Sequence, residues 1–196
     1  MIPDHERMMF NRIWSDLFSE VNQRHKIVDE ELSLSHMTDS VRIVLNKAFT
    51  NTELLDEHIA IKAKEYDMIH MSVLKSWRKH FVKGVFALMA ERPGYSVLMK
   101  SDRSEMVLYG VQSFIGCIRN QVSEMPHCFE TTLLPFHNRI IYNATIHSHG
   151  KTQDQEKKHL TRFFKATEEY FKVATTLPVV PFLLLKSLDG KFEEFE

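Results

Sequence analysis

The sequence predicts an α+β protein: three or four N-terminal helices, a five-stranded antiparallel sheet able to curl into a small barrel, and a long C-terminal helix. Three observations carry this. Apolar residues recur at helical spacing as far as His80. From Val82 they come instead in short strand-like runs punctuated by turn residues. Helical spacing then returns after Thr152. The expected division is a helical part over residues 1–80 and a sheet with its helix over 81–196, packed as one compact unit.

Each element has its own signal. Pro3 and Asp4 suit a helix start. Phe10, Ile13, Trp14, Leu17, Phe18 and Val21 then form one apolar face, with Arg12, Asp16, Glu20 and Asn22 off it. Thr38 is positioned to cap a second helix carrying Val41, Val44, Leu45 and Ala48. TNTE at 50–53 starts a third with Leu54, Leu55, His58 and Ile59, and Asp67 caps a fourth with Ile69, Val73, Leu74 and Trp77.

VKGVFALMAE reads as a strand buried on both faces. Pro93 and Gly94 match the two central positions of a type II turn, where proline presets φ and glycine accepts a positive one. YSVLMK and EMVLYGV follow as second and third strands. QSFIGCIRNQVSEMP is irregular. HCFETTLL and RIIYNATI, joined by PFHN, read as a closing hairpin in which Asn138 tolerates the left-handed region. The last helix carries Leu160, Phe163, Phe164, Thr167, Tyr170, Phe171 and Ala174 on one stripe and ends at Pro178.

Composition narrows the function classes. Hydrophobic residues are 43% and charged residues 26%, enough for a core and too mixed for disorder. The formal net charge of -1 gives no global field favouring nucleic acid or acidic lipid. No window resembles a secretory leader or a membrane span, and two cysteines are too few for a disulfide scaffold. The expectation is a cytoplasmic protein with Cys117 and Cys128 as buried free thiols. No cofactor and no membrane association are expected.

Several segments together, FNRIWSDLFSEVNQRHKI, KSWRKHFVKGVFALMAE, VLYGV and TTLLPFHNRIIYNATI, resemble a family of uncharacterised bacterial proteins. The resemblance implies a helical N-terminal part before a small antiparallel sheet, with a strand pair of the form LLPF, short turn, IIYDG. Some relatives carry a cysteine-rich zinc-binding tail that this chain lacks. Asn143 and Ala144 stand where the pattern favours an acid and a glycine. The resemblance therefore implies architecture and transfers no catalytic residue.

Candidate chemistry is sparse. His147 and His149 alternate on a strand, so two imidazoles can face one cation; His127, His137 or Glu130 would supply a third ligand. The competing reading is a polar loop after the last strand. KSWRKHFVK sets cations around Trp77 and Phe81, a mix that can hold phosphates and stack a base. On a helix, however, Lys75, Arg78 and Lys79 share a solvated face while Trp77 turns to the core. Arg139 would be a further phosphate contact. No nucleophile elbow, Walker loop, dinucleotide fingerprint or H-E-x-x-H is present, and Cys117 has no His nearby in sequence. Scattered histidines and methionines read as surface, capping and core-filling residues.

These readings favour a non-enzymatic interaction or regulatory module acting on a protein partner or as a homodimer. Nucleic-acid binding and metal-dependent hydrolysis are the alternatives. The apolar segment LPVVPFLLL, residues 177–185, needs a partner or its own core.

Overall fold

The computed structural model describes residues 2–29, 32, 39–101, 106–114, 118–122, 124–142, 146–148, 153–168 and 173–178. Two compact units divide the chain, Met1–Phe81 and Val82–Glu196.

The first unit holds four helices: α1 (Asp4–His25), α2 (Asp39–Thr50), α3 (Glu53–Lys62) and α4 (Met68–His80). The predicted stripe of α1 is the buried one, from Phe10 through Val21. Its aromatics meet α4 and one another: the Phe10 ring lies 5.4 Å from Trp77 of α4, and within α1 Trp14 meets Phe18 edge-on at 5.2 Å. Burying each such ring contributes roughly 1.5–3 kcal/mol. Lys26 ends α1 in the left-handed region, with φ of 46°, donating its N–H to the Asn22 carbonyl. Asp67 caps α4 as its position predicts, its carboxylate accepting from the His70 N–H at 2.8 Å. TNTE does start α3, but Thr52 makes no side-chain cap. Asn51 Oδ1 accepts from the Glu53 N–H instead. Thr38 lies outside the described residues.

The second unit is a mixed sheet, not the antiparallel one expected. Its strands are β1 (Val82–Arg92), β2 (Tyr95–Ser101), β3 (Met106–Gln112), β4 (His127–Phe136), β5 (Arg139–Tyr142) and a short β6 (His147–Ser148). β1 pairs antiparallel with β2 along one edge and with β4 along the other. β3 pairs antiparallel with β2 and parallel with β5, and β5 with β4 antiparallel. The circle β1-β2-β3-β5-β4-β1 closes a five-stranded barrel. β6 adds to β4 at Phe129 and Glu130. A register shift between Leu88 and Ala90 leaves Met89 extra in β1. Such a bulge bends a strand, which lets β1 serve two neighbours around a tight curve.

Alternation along the strands separates two apolar layers. Phe86, Leu88, Leu98, Tyr109, Phe129 and Tyr142 fill the barrel, with Ile118 joining them from a single 3-10 turn, Ile118–Gln121. Ala87, Val97, Met99 and Leu108 point outward and meet Phe164 of α5 (Asp154–Glu168). The two-residue turn at Pro93 and Gly94 is formed as predicted, with Gly94 at φ of 90°. In the other hairpin it is His137, not Asn138, that takes the positive φ, 52°. Phe136 pairs with Arg139, so His137 is the first residue of that turn.

The long helix expected to run to Pro178 is not found. The described helix ends at Glu168, and Ala174 forms a β-bridge with Tyr109.

Candidate interaction surface on the barrel

The narrowest junction of the barrel lies between β3 and β5, where only Val111 and Gln112 are paired, with Ile140 and Ile141. Below that point the edge of β3 would present unpaired main-chain groups. The chain's own residues 173–178, here called the arm, meet them. The Ala174 N–H donates to the Leu108 carbonyl at 2.7 Å, and the Gly110 N–H donates to the Ala174 carbonyl at 2.8 Å. At Ala174 the arm pairs parallel with Tyr109 of β3, on the edge that β5 uses further along, and it bends from Thr176 to Pro178.

Side chains of the arm divide between the two layers. Ala174 and Leu177 pack against the barrel interior, and Val173 against the outer layer. Gly110 permits the close approach. A Cβ there would stand 3.1 Å from Val173 Cγ1 and 3.2 Å from Thr175 Cγ2. Main-chain pairing supplies affinity in such an arrangement, and alternate side-chain positions supply specificity.

α5 covers the outer face of β1, β2 and β3 with few anchors. Leu160 and Phe164 are its apolar contacts, and Lys157 reaches Glu124 at 2.7 Å. Its other described residues are largely exposed, and Phe163 stacks on His159 of the same helix.

A cleft of about 220 Å³ opens at the β1–β2 turn, lined by Glu91, Arg92, Tyr95, Ser96, Gln112 and Ser113 among others. The Glu91 carboxylate accepts from Ser96 Oγ at 2.8 Å and from the Arg119 N–H at 3.1 Å. It thereby holds the 3-10 turn over the end of the barrel. Nearby, Gln121 Nε2 donates to the Tyr142 hydroxyl at 2.6 Å.

The helical unit contains a second polar constellation. Lys62 is buried yet pairs with Glu20, with Glu65 at 2.7 Å and with Asp16 at 3.5 Å. Burial pushes its ammonium down, and the bonds to Glu20 and Glu65 outweigh that, so its pKa lies above the usual lysine value. His58 is 1% exposed, with Nδ1 3.1 Å from Glu20 Oε2 and no partner on Nε2. Burial holds its pKa below 6.5, against the pull of Glu20. Tyr66 donates to Asp16 at 2.7 Å, and burial raises its phenol further.

The residues singled out in the sequence are dispersed. Lys75 and Lys79 are exposed on α4, but Trp77 is fully buried, so it offers no face to a base. Arg78 is held by Asp56 through two bonds of 2.8 and 2.9 Å. Arg139 opens β5 in the other unit. His147 stands opposite Glu130 in the β4–β6 register, and His149 lies outside the described residues. His127 is buried and stacks on Phe129, while His137 sits in the hairpin turn. Among the described residues, no group of three His, Cys, Asp or Glu is gathered to hold a metal. Cys128 is a half-buried free thiol in the outer layer; Cys117 is outside the described residues. Of 177–185, only Leu177 and Pro178 are described.

The sequence reading missed the arm, Gly110 and the Lys62 cluster. Signals existed for two of them. Val173, Thr175 and Thr176 are β-branched residues in a stretch read as helix. Asp16 and Glu20 are like charges four apart on one helix, which need a cation from elsewhere.

In the closed strand order β3 runs parallel to β5, and a helical turn lies between β3 and β4. Comparison with protein-family models, curated proteins and solved structures found no match. Among the described residues, no helix is long and apolar enough to cross a membrane.

Proposed function

We propose that this chain is a non-enzymatic cytoplasmic interaction or regulatory module, and that the barrel's β3 edge is its working surface. One observation carries the reading: the open stretch of β3 takes up an extended segment through main-chain hydrogen bonds, with a glycine placed where that segment comes closest. The kinship of architecture with the uncharacterised bacterial family belongs to the same proposal.

The small five-stranded barrel gives nucleic-acid binding a specific argument as the second reading, since oligonucleotide-binding barrels of that strand number bind single strands across β2 and β3. Here that face is apolar and lies under α5, which favours the protein-interaction reading.

The test is affinity capture of tagged full-length chain from its native cell extract, with and without nuclease, beside the Ala174→Asp variant. The proposal expects a protein partner that resists nuclease and whose recovery changes in the variant. Recovered nucleic acid, with every partner lost on nuclease and binding that weakens steeply with salt, would replace it with the second reading. Stoichiometric metal, lost on changing His147 and His149 to Ala, would favour the hydrolase alternative.

A further inference from the structure

The geometry points to the arm as a displaceable plug: residues 173–178 occupy in cis a groove that receives an extended peptide from a partner protein. The inference rests on the interaction-module reading and names its partner's chemistry and its regulation.

The arm describes the ligand the groove fits. Its pattern is β-branched, small, β-branched, then an apolar residue three after the small one: Val173, Ala174, Thr175, Leu177. Ala174 and Leu177 are half-buried against the cluster that fills the barrel, so a charged residue at either position would be disfavoured. The two main-chain bonds, at Leu108 and Gly110, read no side chain and are available to any extended segment.

Displacement is feasible because the arm's hold is small. β3 pairs with β2 from Ser96 to Ser101, and β5 pairs with both β3 and β4, through ladders in which the arm takes no part. The arm adds one bridge to a barrel already closed. A partner must outcompete a tethered segment, whose effective concentration is millimolar for a short linker. Any event that withdraws the arm therefore raises the groove's apparent affinity, which makes the arm the regulatory element.

The experiment uses the full chain carrying Ala174→Asp, which expels the arm, and a fluorescein-labelled peptide of residues 171–178, FKVATTLP. Anisotropy is expected to show saturable binding to the variant and at least tenfold weaker binding to the wild type. The same peptide with Asp at the Ala174 position is expected not to bind. A folded variant that does not bind, or that binds no better than the wild type, overturns the inference. Failure of this peptide experiment alone leaves the extract-capture test of the interaction reading standing, so the two are separable. If Ala174→Asp does not fold, the wild-type chain is titrated with the unlabelled peptide while the Leu108 and Gly110 amide resonances are followed. Shifts confined to β3 and the arm support the plug; no shift at millimolar peptide overturns it.

Discussion

Substituting Gly110 with residues of increasing volume separates a plug from an integral strand. An alanine Cβ would lie 3.1 Å from Tyr95 Cδ2 and Val173 Cγ1, and 3.2 Å from Thr175 Cγ2. Three tight contacts overpack the site, but the strand loses a flexible glycine. The net cost is about 1 kcal/mol. Valine adds branches toward the same atoms and costs about 2–3 kcal/mol. Beyond this the arm sets a ceiling. Its two main-chain bonds contribute about 1 kcal/mol each. Partial burial of Ala174 and Leu177 adds about 1–2 kcal/mol. Once the overpacking against Val173 and Thr175 exceeds that total of about 3–4 kcal/mol, the arm leaves and the barrel stays, which relieves every tight contact but the one with Tyr95 of β2. Urea denaturation of Gly110→Ala, Gly110→Val, Gly110→Ile and Gly110→Leu, read by circular dichroism, should therefore show the cost rising and then levelling between valine and leucine. A cost that keeps rising with side-chain volume, ending in chains that do not fold, would refute the reasoning.

Further outcomes follow from the helical unit. Lys62→Met leaves Asp16, Glu20 and Glu65 without their cation and should destabilise by about 2 kcal/mol in chemical denaturation, less than a fully buried pair would lose because the carboxylates are partly exposed. The raised pKa of Lys62 means its contribution is present below about pH 10.4 and is lost as pH rises toward the folded value, so the gap between wild type and variant should narrow there. His58 has the opposite sign. Its folded pKa lies below 6.5, so the unfolded chain takes the proton first and stability falls as pH drops from about 6.5 toward the folded pKa. His58→Gln should flatten that part of the stability curve measured by thermal denaturation. Trp77→Ala should cost about 3–5 kcal/mol, whereas Lys75→Ala and Lys79→Ala should stay within about 0.5 kcal/mol. Equal effects at all three positions in a denaturant series would contradict the burial of Trp77.

Legibility of the fold followed how local each determinant is. The stripe from Phe10 to Val21, the Asp67 cap and the Pro93–Gly94 turn each depend on neighbours within a few residues, and each is found where its pattern indicated. The five strands were also legible as runs. Their closure was not, because the parallel pairing of β3 with β5 joins Val111 to Ile140 across the hairpin, and no local period encodes a partner that distant. Propensity points to Asn138 for the left-handed position, and hairpin register gives it to His137 instead. At the C-terminal end the apolar stripe through Ala174 reads as helix, although Val173 and Thr175, which flank the residue bridged to β3, favour the extended form. The Lys62 cluster needed α1 and α3 side by side before Asp16 and Glu20 could be seen to share a cation.

The most direct measurement is native-state amide hydrogen exchange of the wild-type full chain, resolved at Gly110 and Ala174 and compared with the amides of β2, which is paired on both sides. With the arm as a plug, the Gly110 and Ala174 amides exchange through a local opening of lower free energy than that of β2. Exchange of both only with global unfolding of the barrel would make the arm an ordinary strand and contradict the claim that it is a plug.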